Sequence, residues 1–411
     1  MITRTGWIPT LAVGTALLVA ATGSAPPSSR SPDRLIAHEW GTFTSIAGED
    51  GRAIEWLPLN GPVDLPCFVE HFQNALAQKI LPGTDASLIN YETARTKLWG
   101  KVRMETPVLY FYAPRDTHLN VKVAFPHGLI TEFYPHATAS PAVITATSLR
   151  SPTFGTTIEW RDVTVAPAAP RAFEKESTPS HYYAARETEA AALAVGPQSE
   201  KFLFYRGVAN FDVPVSALPL DGGGVRVRNL GGIEIPAVVL FEKRGSSVGY
   251  RVAGPLSGET TIAAPSPAGS VESLGAELEN MLVTAGLFRK EAAAMVATWG
   301  DSWFEEGTRV FYIVPPRTVD AILPLHVTPA PSAVARVFVG RMEIVTPAMQ
   351  HDVESAIARN DATALERFGR FLGPITDRML AKNPSAATRA RVQSATSAAF
   401  ASYVRRVSAC E

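Results

Sequence analysis

Five side chains of the kinds that bind metals or move protons stand in the first half of the chain: His38, Glu39, Glu132, His136 and His181. Imidazole and carboxylate are common metal ligands and acid–base groups near neutral pH. If the five converged they would suit a metal-assisted hydrolase holding a divalent cation. Their spacing supplies only part of such a site. His38 and Glu39 are neighbours on an expected strand, so they point to opposite faces unless that strand bulges or ends there. Trp40, Gly41 and Thr42 follow, which breaks the HExxH zinc pattern. The plainer reading has His38 bonded to backbone and Trp40 packed in a core. Glu132, Tyr134 and His136 alternate, placing an acid, a phenol and an imidazole on one face of an extended chain, and Pro135 excludes the helical alternative. A three-ligand site would need further groups from His127 or His181. A solvent-facing hairpin is the plainer alternative.

Two other groups suit binding. His181, Tyr182, Tyr183 and Arg186 fall between strand-like segments, where stacking rings and a guanidinium fork fit a sugar or a carboxylate. Trp303, Glu305 and Arg309 lie close to Trp299, Asp301 and Glu306 at a helix-to-strand transition. Carboxylates beside tryptophans occur in glycosidase clefts, but adjacent glutamates do not face each other across a bond. The structural reading has the tryptophans anchoring the helix and Arg309 pairing with one glutamate. Gly245 to Gly249 matches GxSxG in form, yet Tyr250-Arg251-Val252 continues as strand where a nucleophile elbow needs a helix, so it reads as a hairpin turn. Gly222-Gly223-Gly224 reads as another turn.

The elements that must position these residues follow from periodicity. Leu35 to Ile46 reads as a strand, and Phe68, Phe72, Leu76 and Ile80 read as a helix stripe, with a second short helix over Ala86 to Leu98. From Glu105, short β-branched and aromatic runs alternate with Pro, Gly and Asn, as in an antiparallel sandwich. The runs are Pro107 to Tyr112, Leu119 to Phe125, Leu129 to Tyr134, Thr156 to Val165, Lys201 to Tyr205, Val225 to Asn229, Val238 to Glu242 and Gly249 to Ala253. Ala263 to Gly269 has linker composition. Helix stripes over Leu274 to Leu282 and Ala292 to Trp299 follow, then strands at Arg309 to Val314, Ile322 to Val327 and Ala335 to Ile344. The end is helical, with a break expected at Asn360-Asp361. The fold class is α+β, an antiparallel β-sandwich-like region followed by a helix-rich C-terminal region. The corresponding segments are 1–25 (targeting), 26–34 (leader), 35–100 (strand and helices), 101–262 (sandwich-like), 263–271 (linker) and 272–411 (α/β to helical).

Arg4 before the apolar run Ile8 to Ala21 has the charge and length of a secretory signal, and the run is short of the ~20 residues of a membrane span. Small residues favour cleavage after Ala21. The expected location is periplasmic or extracellular, with no membrane span after signal removal. Cys67 and Cys410 are the two cysteines, and in an oxidising compartment they are expected to form a disulfide. A net charge of -1, with basic residues scattered, gives no footprint for nucleic acid or an anionic membrane.

The segments HEWGTFTS (His38 to Ser45), METPVLYFY (Met104 to Tyr112), HYYAARET (His181 to Thr188), EKFLFYRG (Glu200 to Gly207) and WFEEGTRVFYIVP (Trp303 to Pro315) resemble a family of uncharacterised exported bacterial proteins. That resemblance implies one shared architecture and brings no activity, cofactor or catalytic residue with it. The leading functional reading is a ligand-binding or interaction protein of the cell envelope, taking a small molecule, a glycan or an envelope protein. The rival is the hydrolase, and convergence of at least three of its five side chains in one pocket is what separates the two.

Overall fold

The HEWGTFTS segment forms the middle strand of the largest sheet. The protein is described here by a computed structural model over residues 34–60, 65–71, 98–141, 154–169 and 171–407. Its strands are β1 (Ile36–Ala47), β2 (Glu70–His71), β3 (Val102–Tyr112), β4 (Thr117–Pro126), β5 (Gly128–Tyr134), β6 (Thr138–Ser140), β7 (Gly155–Ala166), β8 (Ala192–Val195) and β9 (Gln198–Glu200). They continue with β10 (Leu203–Ala209), β11 (Val215–Pro219), β12 (Val225–Asn229), β13 (Val238–Arg244), β14 (Ser247–Ala253), β15 (Glu259–Ile262), β16 (Gly307–Val314), β17 (Leu325–Thr328) and β18 (Ala333–Ile344). The described helices are α1 (Val271–Thr284), α2 (Arg289–Trp303), α3 (Pro316–Ile322), α4 (Pro347–Arg359), α5 (Ala362–Glu366), α6 (Leu372–Ala381) and α7 (Ala386–Val407).

The nine-stranded sheet runs β14-β13-β16-β18-β1-β3-β10-β5-β2, and β1 pairs parallel with β18 and antiparallel with β3. The odd face of β1, with Ala37 and Phe43, packs against the six-stranded sheet β17-β4-β7-β8-β9, to which β6 is added, and against the three-stranded sheet β11-β12-β15. That is the sandwich core. The even face, with Trp40, is covered by α1, α2 and a 3-10 turn over His181–Arg186, while Ile46 at the far end lies under α4 to α7. β1 is therefore buried on both sides, each fully enclosed large apolar side chain contributing roughly 2–3 kcal/mol. Gly41 is glycine for lack of room: a Cβ there would stand 2.7 Å from the Phe338 ring.

One irregularity decides which residues share a face. The β1–β3 register slips between Trp40 and Thr42, where Trp40 lies opposite Val108 but Thr42 opposite Glu105. The extra β3 residue falls at Thr106-Pro107, with Thr106 at φ +44°. A bulge flips side-chain parity. Val108, Tyr110 and Tyr112 thus share the helix-covered face with Arg103 and Glu105, which an unbroken alternation would have driven into the apolar sandwich.

Helix ends obey local chemistry. Ser270 and Ser273 form a reciprocal cap on α1, Thr346 caps α4 ahead of Pro347, and α4 ends at Asn360 in the left-handed region before Asp361 caps α5. This is the break expected at Asn360-Asp361. Several elements differ from expectation. The strand expected over Ile322 to Val327 is shortened to β17 because α3 occupies 316–322. Residues 263–271 are laid along β14, with a Val248–Ala268 bridge, and strands from both sides of that stretch share the nine-stranded sheet. Of the helix expected to start at Phe68, Glu70–His71 form β2. Its remainder, and all but the end of the helix expected over 86–98, lie outside the described residues, as do the targeting segment and Cys410.

Candidate functional site

The five side chains that a hydrolase would need do not meet. His38 is buried on the helix-covered face, its Nδ1 2.7 Å from Glu291 Oε2. Glu291 is held there by its own helix: at the third position of α2 it accepts the Phe288 N–H at 2.8 Å, and its other oxygen accepts the Tyr112 hydroxyl at 2.8 Å. Burial, with the Glu291 charge adding to it, pushes the Tyr112 hydroxyl up, so it stays a proton donor. The Phe288 ring lies 4.4 Å from the His38 ring. Glu39 points to the opposite face, accepting the Tyr205 hydroxyl at 2.5 Å and Arg336 Nε at 2.6 Å.

The alternating triplet also separates. Glu132 is buried, accepts the Thr131 hydroxyl and lies 4.0 Å from Arg206 Nη1. β5 ends at Tyr134, and His136, past the strand, is exposed with its Nδ1 2.8 Å from Glu70 Oε2. His181 pairs with Asp301 at 2.8 Å near the far end of α2. Glu291 and Asp301 are ten residues apart on that helix, about 15 Å along its axis, so the two histidines anchored there belong to different places. Among the described residues no group of three or more His, Cys, Asp or Glu is placed to hold a metal ion.

The two sets expected to bind ligands are used internally. Arg186 donates to both Glu200 oxygens, at 2.9 Å and 2.6 Å, and its guanidinium carbon stands 4.9 Å from the Tyr183 ring centre. Tyr182 is buried and donates to Glu200 at 3.0 Å. Burial pushes the Glu200 carboxyl up, against the pull of Arg186. Trp303 is fully buried. Arg309 does not pair with its sequence neighbours' carboxylates as expected: it donates to the main-chain carbonyls of Trp303 and Glu306, and its ion pair, at 2.9 Å, is with Glu343 of β18. Glu305 instead takes Arg341 at 2.7 Å, and the Glu306 carboxylate takes the Gly245 N–H at 2.9 Å.

These pairs join a buried belt along the helix-covered face. Glu105 accepts Arg370 Nη1 at 2.7 Å and the Thr44 hydroxyl at 2.5 Å, with Arg103 Nε at 3.7 Å. Burial works to raise the Glu105 carboxyl, but Arg370, Arg103 and Arg341 together hold it down at about 2. Glu343 goes the other way, because burial outweighs Arg309 and Arg341. The ring of Phe371 closes over Arg341, 4.8 Å from the guanidinium carbon. With Arg103, Glu105, Arg309, Arg341, Glu343 and Arg370 buried and Glu305 partly so, the belt is a structural seam between α2 and the C-terminal helices.

The open site lies elsewhere, on residues that the motif reading passed over. A cleft of about 660 Å³ is lined by Pro316 and Asp320 of α3, by Pro324 and β17, by Ala330 and Pro331, and by Val334 and Arg336 of β18. That volume suits a small-molecule or short-peptide site. Arg336 is the buried charge in its wall: Nε is held by Glu39, Nη1 by Asp320 at 2.9 Å, and Nη2 is enclosed away from solvent. Although burial opposes it, the Glu39 carboxylate holds the guanidinium firmly charged. Val334 stands half exposed as an apolar knob. The signal for this site was an arginine in the apolar run Val334 to Val339, a residue type seldom buried without partners.

The sequence matches no protein-family model and no curated protein. Two solved structures align with 76% of this chain: the yeast delta-COP-I mu-homology domain complexed with a Dsl1 WxWxV peptide (8% identity, 98% of that chain, TM-score 0.28) and the yeast delta-COP-I mu-homology domain (10% identity, 97% of that chain, TM-score 0.27). A superposition that loose transfers neither a ligand nor a mechanism.

Proposed function

We propose that the chain is an exported binding protein of the bacterial cell envelope and that its ligand seat is the cleft between α3, β17 and the start of β18. The carrying observation is that an open cleft is walled by a buried arginine held by Glu39 and Asp320, whereas the five candidate hydrolase residues stand in five separate pairs. Export rests on the Arg4 and Ile8 to Ala21 pattern and on the HEWGTFTS resemblance. Within the described residues no helix is long and apolar enough to cross a membrane.

The test is a thermal-shift screen of sugars, carboxylates and short peptides against the mature chain and a Val334→Trp variant. A ligand at 100 times its Kd adds about 2.7 kcal/mol to stability. The expected hit stabilises the parent chain and leaves the variant unmoved; a hit that stabilises both equally sinks the cleft assignment. Stoichiometric zinc, iron or copper in protein taken from its native compartment would favour the hydrolase. The export reading also expects no free thiol in the denatured, non-reduced protein, with Cys67 bridged to Cys410; two labelled cysteines would refute the bridge.

A further inference from the structure

We infer that the cleft receives an extended peptide as an added β-strand. This rests on the binding reading above and names its ligand class. The argument comes from the phase of two hydrogen-bond ladders. Ala124 N–H donates to Pro324 O at 2.9 Å, with Leu325 opposite Val123 and His326 opposite Lys122. In an antiparallel pair, bonded and non-bonded positions alternate. Residues 326 and 328 therefore bond to β4, and Leu325 and Val327 turn their N–H and C=O groups to the other edge. β17 ends its sheet, so among the described residues that edge has no strand beside it.

The same counting applies to β18. Ile313 N–H donates to Ala237 O, so odd residues of β16 face β13 and even residues face β18. The β16–β18 ladder stops at Val314 opposite Phe338. Arg336 and Val334, two and four residues before Phe338, turn their main-chain groups the same way, past the end of the ladder. Leu325, Val327, Val334 and Arg336 all line the one cleft. β17 and β18 are joined by only Pro329 to Ser332, yet they do not pair with each other. Two unpaired edges thus border a single space.

Other ligand classes fit less well. Among the described residues no Phe, Tyr or Trp lines the cleft to stack on a sugar ring. Its one arginine is already engaged by Asp320 and Glu39, which leaves little attraction for a phosphate or polyanion. A peptide backbone supplies alternating donors and acceptors, and its alternate side chains would meet Val334.

The experiment selects random linear heptapeptides, displayed on phage, against the full mature chain. The enriched peptide is then synthesised free and with N-methyl groups at alternate backbone nitrogens. Strand addition expects one N-methyl set to weaken binding at least roughly tenfold and the other to leave it intact. Val327→Pro, which removes an outward N–H and no β4 bond, should weaken it by a similar factor, and amide exchange at Leu325 and Val327 should slow on binding. If Val327→Pro fails to fold, the N-methyl pair and the exchange measurement decide. Peptides lost with Val334→Trp but indifferent to N-methylation overturn strand addition and leave the cleft standing. Peptides indifferent to Val334→Trp overturn both. Failure to enrich any peptide overturns strand addition alone.

Discussion

Arg336 and Arg341 lie five residues apart on the same strand, and their surroundings set the two working regions of this molecule apart. Each guanidinium is gripped by carboxylates and each keeps one N–H without a partner, Nη2 in Arg336 and Nε in Arg341. Arg341 is fully enclosed, with Phe371 over its face, whereas Arg336 lines a cleft beside two strand edges. An incomplete bonding shell is therefore not by itself a sign of function. What sets Arg336 apart is the open cleft beside it, since its Nη2 is as enclosed as the Nε of Arg341.

The sharpest way to break that comparison is to remove the sealed arginine. Arg341→Met removes the partner of Glu305 and one of the two arginines beside Glu343 and should cost about 3–5 kcal/mol, read as a large drop in urea unfolding midpoint; a loss under 1 kcal/mol would mean the belt is not structural. Next comes the acidic half of the belt. Glu105 titrates at about 2 when folded against 4.5 ordinarily, so its contribution is complete above pH 4.5 and drains as pH falls toward 2. The full amount is about 3 kcal/mol, and Glu105→Gln should flatten the acid limb of unfolding free energy against pH.

A smaller effect is expected at the tie between β1 and α2. His38→Ala leaves one Glu291 oxygen short of a donor, and about 1.5–3 kcal/mol of stability should go with it, measured by the same denaturation. The smallest belongs to the open region. Asp320 is mostly exposed, so Asp320→Asn should shift stability by less than about 1 kcal/mol while changing affinity at the cleft. A stability loss matching that of Arg341→Met would erase the distinction between the regions.

How much of this could be read beforehand depended on the range of the interaction. β1 was legible to within a residue at each end because Trp40, Phe43 and its threonines are strand formers. The α4–α5 break was legible because Asn and Asp have local capping chemistry. The strands β8, β9, β11 and β15 were missed, being three to five residues long and too short to establish a period. Glu291 was not singled out: its capping of α2 is local, but that the same carboxylate also receives His38 and Tyr112 depends on contacts 253 and 179 residues away. Arg309 was assigned a neighbour's carboxylate for the same reason, when its ion-pair partner comes from another strand. Parity also misled: periodicity put Glu132 and His136 on one face, but β5 stops at Tyr134.

The parallel seam between β1 and β18 carries a kinetic consequence. It joins residues such as Glu39 and Arg336, 297 positions apart, in the middle of the sheet. Closing a loop of that length costs about 5 kcal/mol in chain entropy before the contacts repay it. The central strand of the nine-stranded sheet thus waits for β18, the last described strand, to be made. Until then the edge of β1 that β18 will cover stays open to aggregation, or to a chaperone. If the chain is exported as proposed, such a delay would keep it threadable until its destination, where the seam can shut once.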